Sequence, residues 1–117
     1  MLFLSIKLSR RASALAIFLQ IISVKAETTV LDGRSLAFET EHGNCLACHQ
    51  ITGGRQMGDI GPPLVDMRRR FPERERLHAQ IWDASTFNLN TMMPPYGRQQ
   101  ILSDEEINAI IDFLYKN

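Results

Sequence analysis

Cys45-Leu46-Ala47-Cys48-His49 is the stretch on which the reading of this chain turns. Two thiols three positions apart can add to the two vinyl groups of one porphyrin, and a histidine directly after the second thiol is then held under the iron. Without the histidine, a Cys-x-x-Cys pair would read equally as a redox dithiol, half a zinc site or a disulfide. Zinc needs four ligands, and the chain has no further cysteine, while His42 and His78 lack the paired spacing of a zinc site. The segment therefore predicts one covalently attached haem c, bound through Cys45 and Cys48, with His49 as the proximal iron ligand.

The residues upstream say where such a protein goes. Lys7, Arg10 and Arg11 precede an apolar run from Ala12 to Ile22, and Val24-Lys25-Ala26 carries the small residues a signal peptidase reads. The run is shorter than the ~20 residues of a spanning helix. Residues 1–26 are expected to be a secretory signal peptide and residues 27–117 a single soluble cytochrome c domain located in the periplasm.

Removing the leader changes the charge. The whole chain balances 13 basic against 13 acidic residues. The leader holds four of the basic residues and none of the acidic ones, so the remainder has nine against thirteen, a net charge of −4. An acidic carrier is disfavoured on nucleic acid and on anionic membranes, and neither is expected as a partner of the mature form. So short a domain buries little apolar surface alone, and a porphyrin would supply part of its core.

Helical signals dominate the rest, and no segment alternates as a strand does, so the fold is expected to be all-α. Asp32-Gly33-Arg34-Ser35 can open a first helix. The segment Gly53 to Pro63 is rich in glycine and proline and predicts a loop. Pro72 is expected in the first turn of a middle helix that continues through Leu77, Ile81 and Trp82. Ser103-Asp104-Glu105-Glu106 is a capping box, followed by Ile107, Ile110, Ile111 and Leu114 at helical spacing, and this apolar face is expected to pack on the first helix and the haem edge. Trp82 is expected in the core near the porphyrin, His42 and His78 as ordinary surface or core residues, and the arginines at 68, 69, 70, 74 and 76 as a salt-bridged helix face.

The iron needs a sixth ligand or an open position. Thioether sulfur is a soft donor that raises the potential and closes the site. Met57 and Met67 follow His49 too closely to cross easily to the other haem face and read as loop or core filler. Met92 and Met93 stand before Pro94-Pro95, a rigid turn able to aim a side chain. Met93, which abuts the prolines, is the expected ligand, and Met92 is the alternative. Pro62 is a candidate for another role, since a metal-bound histidine usually donates its free N–H to a carbonyl and the Gly61-Pro62-Pro63-Leu64 loop can present one.

Together these segments resemble a known family. The order Gly43-Asn44-Cys45 to His49, Gly58 to Leu64, Ile81-Trp82-Asp83, Thr91 to Gly97 and Ile101-Leu102-Ser103 is similar to SoxX, the small monohaem subunit of the SoxAX complex of bacterial thiosulfate oxidation. The Gly-Pro-x-Leu loop is shared with class I cytochromes c, in which its proline carbonyl faces the proximal histidine. The family more often has a basic or polar residue at the position of Met92, and phenylalanine at that of Tyr96. The resemblance implies a class I cytochrome c-like domain wrapped around the haem. It also implies a SoxA-type partner that couples thiosulfate to a cysteine of a SoxYZ-type carrier, and a soluble cytochrome c as electron acceptor. Both cysteines here are used for haem attachment, so this subunit would transfer electrons within a heterodimeric thiosulfotransferase and perform no catalysis itself. A free-standing class I cytochrome acting as a mobile shuttle is the alternative, and a haem sensor with a displaceable methionine is a third reading.

Overall fold

The computed structural model describes residues 31–117, so the leader expected at residues 1–26 lies outside the described residues. Four helices follow in chain order, α1 at Gly33–Phe38, α2 at Met67–Arg70, α3 at Arg74–Trp82 and α4 at Asp104–Leu114. Single 3-10 turns occupy Cys45–Ala47 and Ala84–Thr86. No strand occurs among the described residues, in agreement with the all-α expectation.

The last helix organises the others. Its capping box forms as read: Glu106 N donates to Ser103 Oγ at 3.2 Å and Ser103 N donates to Glu106 Oε2 at 2.8 Å, which satisfies two donors a helix start leaves open. Ile107, Ile110, Ile111 and Leu114 are buried, each worth about 1.5–3 kcal/mol in apolar area removed from water. They pack mainly against α1 and, on a second side, against α3. At the α1 crossing, Gly33 lies so close to the Ala109 carbonyl that a Cβ would overlap it. Phe38 meets Phe113 edge to face at 5.6 Å. The start of α1 is fixed by Asp32, whose carboxylate accepts from Arg34 N at 3.1 Å and Ser35 Oγ at 2.7 Å.

The middle of the chain departs from expectation in four places. Pro72 is not in a first helical turn, because α3 begins at Arg74 and Glu73 before it is extended (φ −90°, ψ 110°). Arg74 sets that start. Its guanidinium donates to the Asn108 carbonyl at 2.8 Å, to Asn108 Oδ1 at 3.1 and 3.2 Å, and to Asp112 at 2.6 Å, which fixes the start of α3 on α4. The extra turn α2 escapes a periodicity reading because four residues contain too little repeat. It buries Met67, in line with that residue's reading as filler. The arginines form no single face: Arg68 lies over the Tyr115 ring, Arg69 pairs with Asp66, Arg70 donates to the Pro63 carbonyl, and Arg76 covers Phe87.

Trp82 is the fourth departure. Its side chain is 38% exposed and stacks on His78 at 5.7 Å. The Trp82 carbonyl accepts from Gly97 N at 3.2 Å and Arg98 N at 3.3 Å, which pins the end of α3 to the segment after the prolines and turns the indole outward over Gly97. His78 in turn reaches Asp104 at 2.8 Å, and His42 faces Glu39 at 3.2 Å. His78 is thus paired with a residue twenty-six positions away, while His42 Nδ1 makes no hydrogen bond. No helix of the described residues is long and apolar enough to cross a membrane.

Candidate functional site

The attachment segment is shaped by its backbone. Asn44 is left-handed (φ 47°, ψ 37°), a conformation asparagine tolerates better than most residues, and it turns the chain into the Cys45–Ala47 turn. His49 N then donates to the Cys45 carbonyl at 2.9 Å, so both cysteines and the histidine sit on one compact coil. The glycine- and proline-rich loop folds back on this coil through Gly58 N to the Leu46 carbonyl, Gly61 N to the Cys48 carbonyl and Leu64 N to the Gln50 carbonyl, each 2.8 Å.

That return places Pro62 against the histidine. His49 Nδ1 lies 2.7 Å from the Pro62 carbonyl oxygen. A carbonyl only accepts, so Nδ1 is the donor, and in the neutral ring this leaves the lone pair on Nε2 for a metal. Gly61 makes the approach possible, since a Cβ there would fall inside contact distance of the ring.

A cleft of about 530 Å³ opens beside the coil, within the size range of cofactor sites. Cys45, Cys48 and His49 line it together with Met92, Met93 and Tyr96, and its inner part is made by the core residues Met67, Leu77, Ile81, Leu102, Ile110 and Leu114. The chain thus brings four of the donors singled out from sequence, the two thiols, an imidazole with a free Nε2 and a thioether, to one largely apolar cleft. Pro62 stands there as well. Met57 does not; it is exposed, and its sulfur accepts from Ile51 N at 3.2 Å.

Three methionines line the cleft; Met67 belongs to its buried inner wall, and the other two, Met92 and Met93, differ in setting. Met92 is 78% exposed, whereas Met93 is half-buried and packs against the core. Met93 N donates to Thr91 Oγ1 at 3.1 Å. The turn that follows is held by Tyr96 N to the Pro94 carbonyl and Gln99 N to the Pro95 carbonyl, each 3.0 Å.

Burial pushes the Cys45 thiol up to about 11. A catalytic dithiol needs the opposite, a thiol lowered toward neutrality so that thiolate is present. The same environment, with the neighbouring thiols adding, pushes the Tyr96 phenol up to about 12. A Cys45 thiol held protonated beside an oriented imidazole fits thioether attachment of a porphyrin better than it fits a catalytic dithiol.

Some contributions had no clear signal in the sequence. Tyr96 reaches across the fold and donates its hydroxyl to the Gly43 carbonyl at 2.6 Å. Ile60 and Met92 stand exposed on the cleft lining, and Leu89, 91% exposed, lies between Asn88 and Asn90, which also line the cleft. An apolar rim of this kind could be suspected from Met92-Met93 alone, but its extent depends on loop geometry.

The sequence pattern of the family described as cytochrome c oxidase, cbb3-type, subunit III matches residues 30–114. No curated protein sequence matches the chain. Among solved structures, a chain of the crystal structure of SoxXA from P. pantotrophus is similar, with 24% sequence identity over 72% of this chain and 77% of that one and a TM-score of 0.64. At that identity the likeness establishes a common fold.

Proposed function

The chain belongs to the family described as cytochrome c oxidase, cbb3-type, subunit III, and on that footing we propose that it is the electron-transfer subunit of a SoxAX-type complex. A cytochrome c domain implies covalent haem c, and Cys45 and Cys48 fit its attachment. In this reading those two cysteines would hold one haem through thioether bonds, and His49 and Met93 would be the ligands to its iron. The haem supplies the one-electron couple.

Every other part of the work falls to the chain. Pro62 orients the His49 ring and strengthens it as a ligand by accepting its Nδ1 proton. Met93, offered by a loop that backbone bonds hold in place, would supply a thioether to the iron and so leave no position for substrate. The core residues that line the cleft exclude water, which with the thioether favours the reduced state. The observation that carries the reading is the convergence of a proton-fixed His49 and a half-buried Met93 on the cleft that Cys45 and Cys48 line.

Two observations support a dedicated partner over a free shuttle. The fold is that of a chain solved in a SoxXA structure. Ile60, Leu89 and Met92, exposed at or beside the cleft, form an apolar rim suited to a standing contact. In full, the proposal has a SoxA-type subunit join thiosulfate to a SoxYZ-type carrier and this subunit pass the electrons to a soluble cytochrome c. Export to the periplasm after removal of residues 1–26 belongs to the same proposal. Pull-down of the tagged, haem-loaded protein from its native periplasm tests it. Recovery of a stoichiometric second cytochrome, with haem reduction that needs both thiosulfate and the sulfur carrier, is the expected result. A lone monomer reduced equally by generic donors would leave a mobile cytochrome instead.

A further inference from the structure

Tyr96 is tied through its hydroxyl and its carbonyl to two different parts of the fold. Its hydroxyl donates to the Gly43 carbonyl at 2.6 Å. Gly43 N in turn donates to the Leu36 carbonyl at 2.8 Å, at the end of α1, and Gly43 is followed directly by left-handed Asn44 and the cysteine-bearing turn. The Tyr96 carbonyl accepts from Ile101 N at 2.8 Å and Leu102 N at 3.1 Å, just before the cap of α4. Between Tyr96 and Met93 stand only Pro94 and Pro95, whose φ angles are fixed by their rings. A shift of Tyr96 is therefore passed to Met93 with little backbone freedom to absorb it.

We propose that Tyr96 is a positioning residue for the methionine ligand: its hydroxyl latches the Met93 loop to the turn that carries Cys45 and Cys48, and so resists departure of the Met93 sulfur from iron. This rests on the reading of Met93 as an axial ligand. The two walls of the cleft belong to segments far apart in sequence, and the Tyr96 side chain is a direct hydrogen-bonded link between the segment bearing the thiols and the segment bearing the thioether. Phenylalanine would fill the same volume and keep the backbone bonds, but it would release this link. The hydroxyl is thus the separable part of the residue.

The test is imidazole binding to the ferric, haem-loaded protein, which requires the methionine to leave, together with the far-red sulfur-to-iron charge-transfer band. Tyr96→Phe should bind imidazole about three- to tenfold more readily, the factor carried by one hydrogen bond of ordinary net strength. The control is Tyr115→Phe, which removes a like bond, from the Tyr115 hydroxyl to the Phe71 carbonyl at 2.7 Å, away from the methionine loop; it should bind as the wild type does. Met93→Ala is measured alongside. If it binds no faster than wild type, Met93 is not the ligand, and both the ligation and the latch fall. If it binds fast while Tyr96→Phe equals wild type, or while Tyr115→Phe opens the site as much as Tyr96→Phe, the latch falls and Met93 stands as ligand.

Discussion

The Pro62 carbonyl oxygen accepts the Nδ1 proton of His49 at 2.7 Å, and Gly61 is the residue that lets the two meet. Gly61→Ala drives a Cβ into the imidazole, and overpacking of this kind costs about 1–3 kcal/mol. Denaturant unfolding of the haem-loaded variant should show that loss, and ring-nitrogen NMR should show the Nδ1 hydrogen bond weakened. Wild-type stability with an unchanged ring signal would mean that the loop yields without disturbing the histidine.

The half-buried setting of Met93 against the 78% exposure of Met92 separates two variants. Met93→Ala should abolish the sulfur-to-iron charge-transfer band of the ferric protein and lower the reduction potential, while Met92→Ala should leave both nearly unchanged. The opposite pattern would assign the iron to Met92.

Arg74 and Arg69 both pair with an aspartate, at 2.6 Å to Asp112 and 2.9 Å to Asp66, yet they should contribute unequally. Arg74 also holds Asn108 through its carbonyl and side-chain oxygen, so Arg74→Ala should cost about 1.5–3 kcal/mol, the range for hydrogen bonds from a charged group. The exposed Arg69 pair should be worth less than about 1 kcal/mol. Chemical denaturation of the two variants measures the difference.

Leu89 and Ile111 make a second contrasting pair. Ile111 is fully buried in α4, and Ile111→Ala should destabilise the fold by about 2–5 kcal/mol. Leu89→Ala should leave the melting temperature in place and weaken capture of the partner cytochrome. Undiminished capture by Leu89→Ala would move the contact elsewhere.

The Asp83 carboxyl is held below its ordinary value of 3.8, chiefly by the Ser85 hydroxyl, with the Ser85 N–H and Arg98 also lowering it. A carboxyl lowered in the folded state contributes stability above its unfolded value and loses that contribution as pH falls through the folded one. The corner where Arg98 meets Asp83 should therefore be intact at neutral pH and loosen below pH 3.8. Emission of Trp82, the single tryptophan, should follow that change, and Asp83→Asn should remove the acid dependence from this corner.

What could be read in advance was whatever rests on short-range chemistry. The capping box, the apolar face of α4, the helix start at Asp32 and the looped segment from Gly53 to Pro63 are local patterns, and each stands in the structure as read. So does the approach of the Pro62 carbonyl to His49, because thirteen residues of tight loop allow few alternatives. The misplaced features are those decided by distant partners. Helix α3 starts where Arg74 can reach Asn108 and Asp112, thirty-four and thirty-eight residues away, not where Pro72 would have begun it. Trp82 faces outward because Gly97 and Arg98 take its carbonyl, and apolar character alone could not show that. The Tyr96–Gly43 bond spans fifty-three residues and left no trace beyond a tyrosine where phenylalanine would pack equally well.

The contact of Gly33 with Ala109 also sets the order in which the domain can be completed. The first helix has its main partner in the last one, so closing the fold means closing nearly all of the described residues into a loop, a slow step compared with forming local turns. A chain synthesised from its amino end presents Cys45 and Cys48 well before α4 arrives to finish the core. The thiols are accessible to the attachment chemistry during that interval, and its length is set by topology.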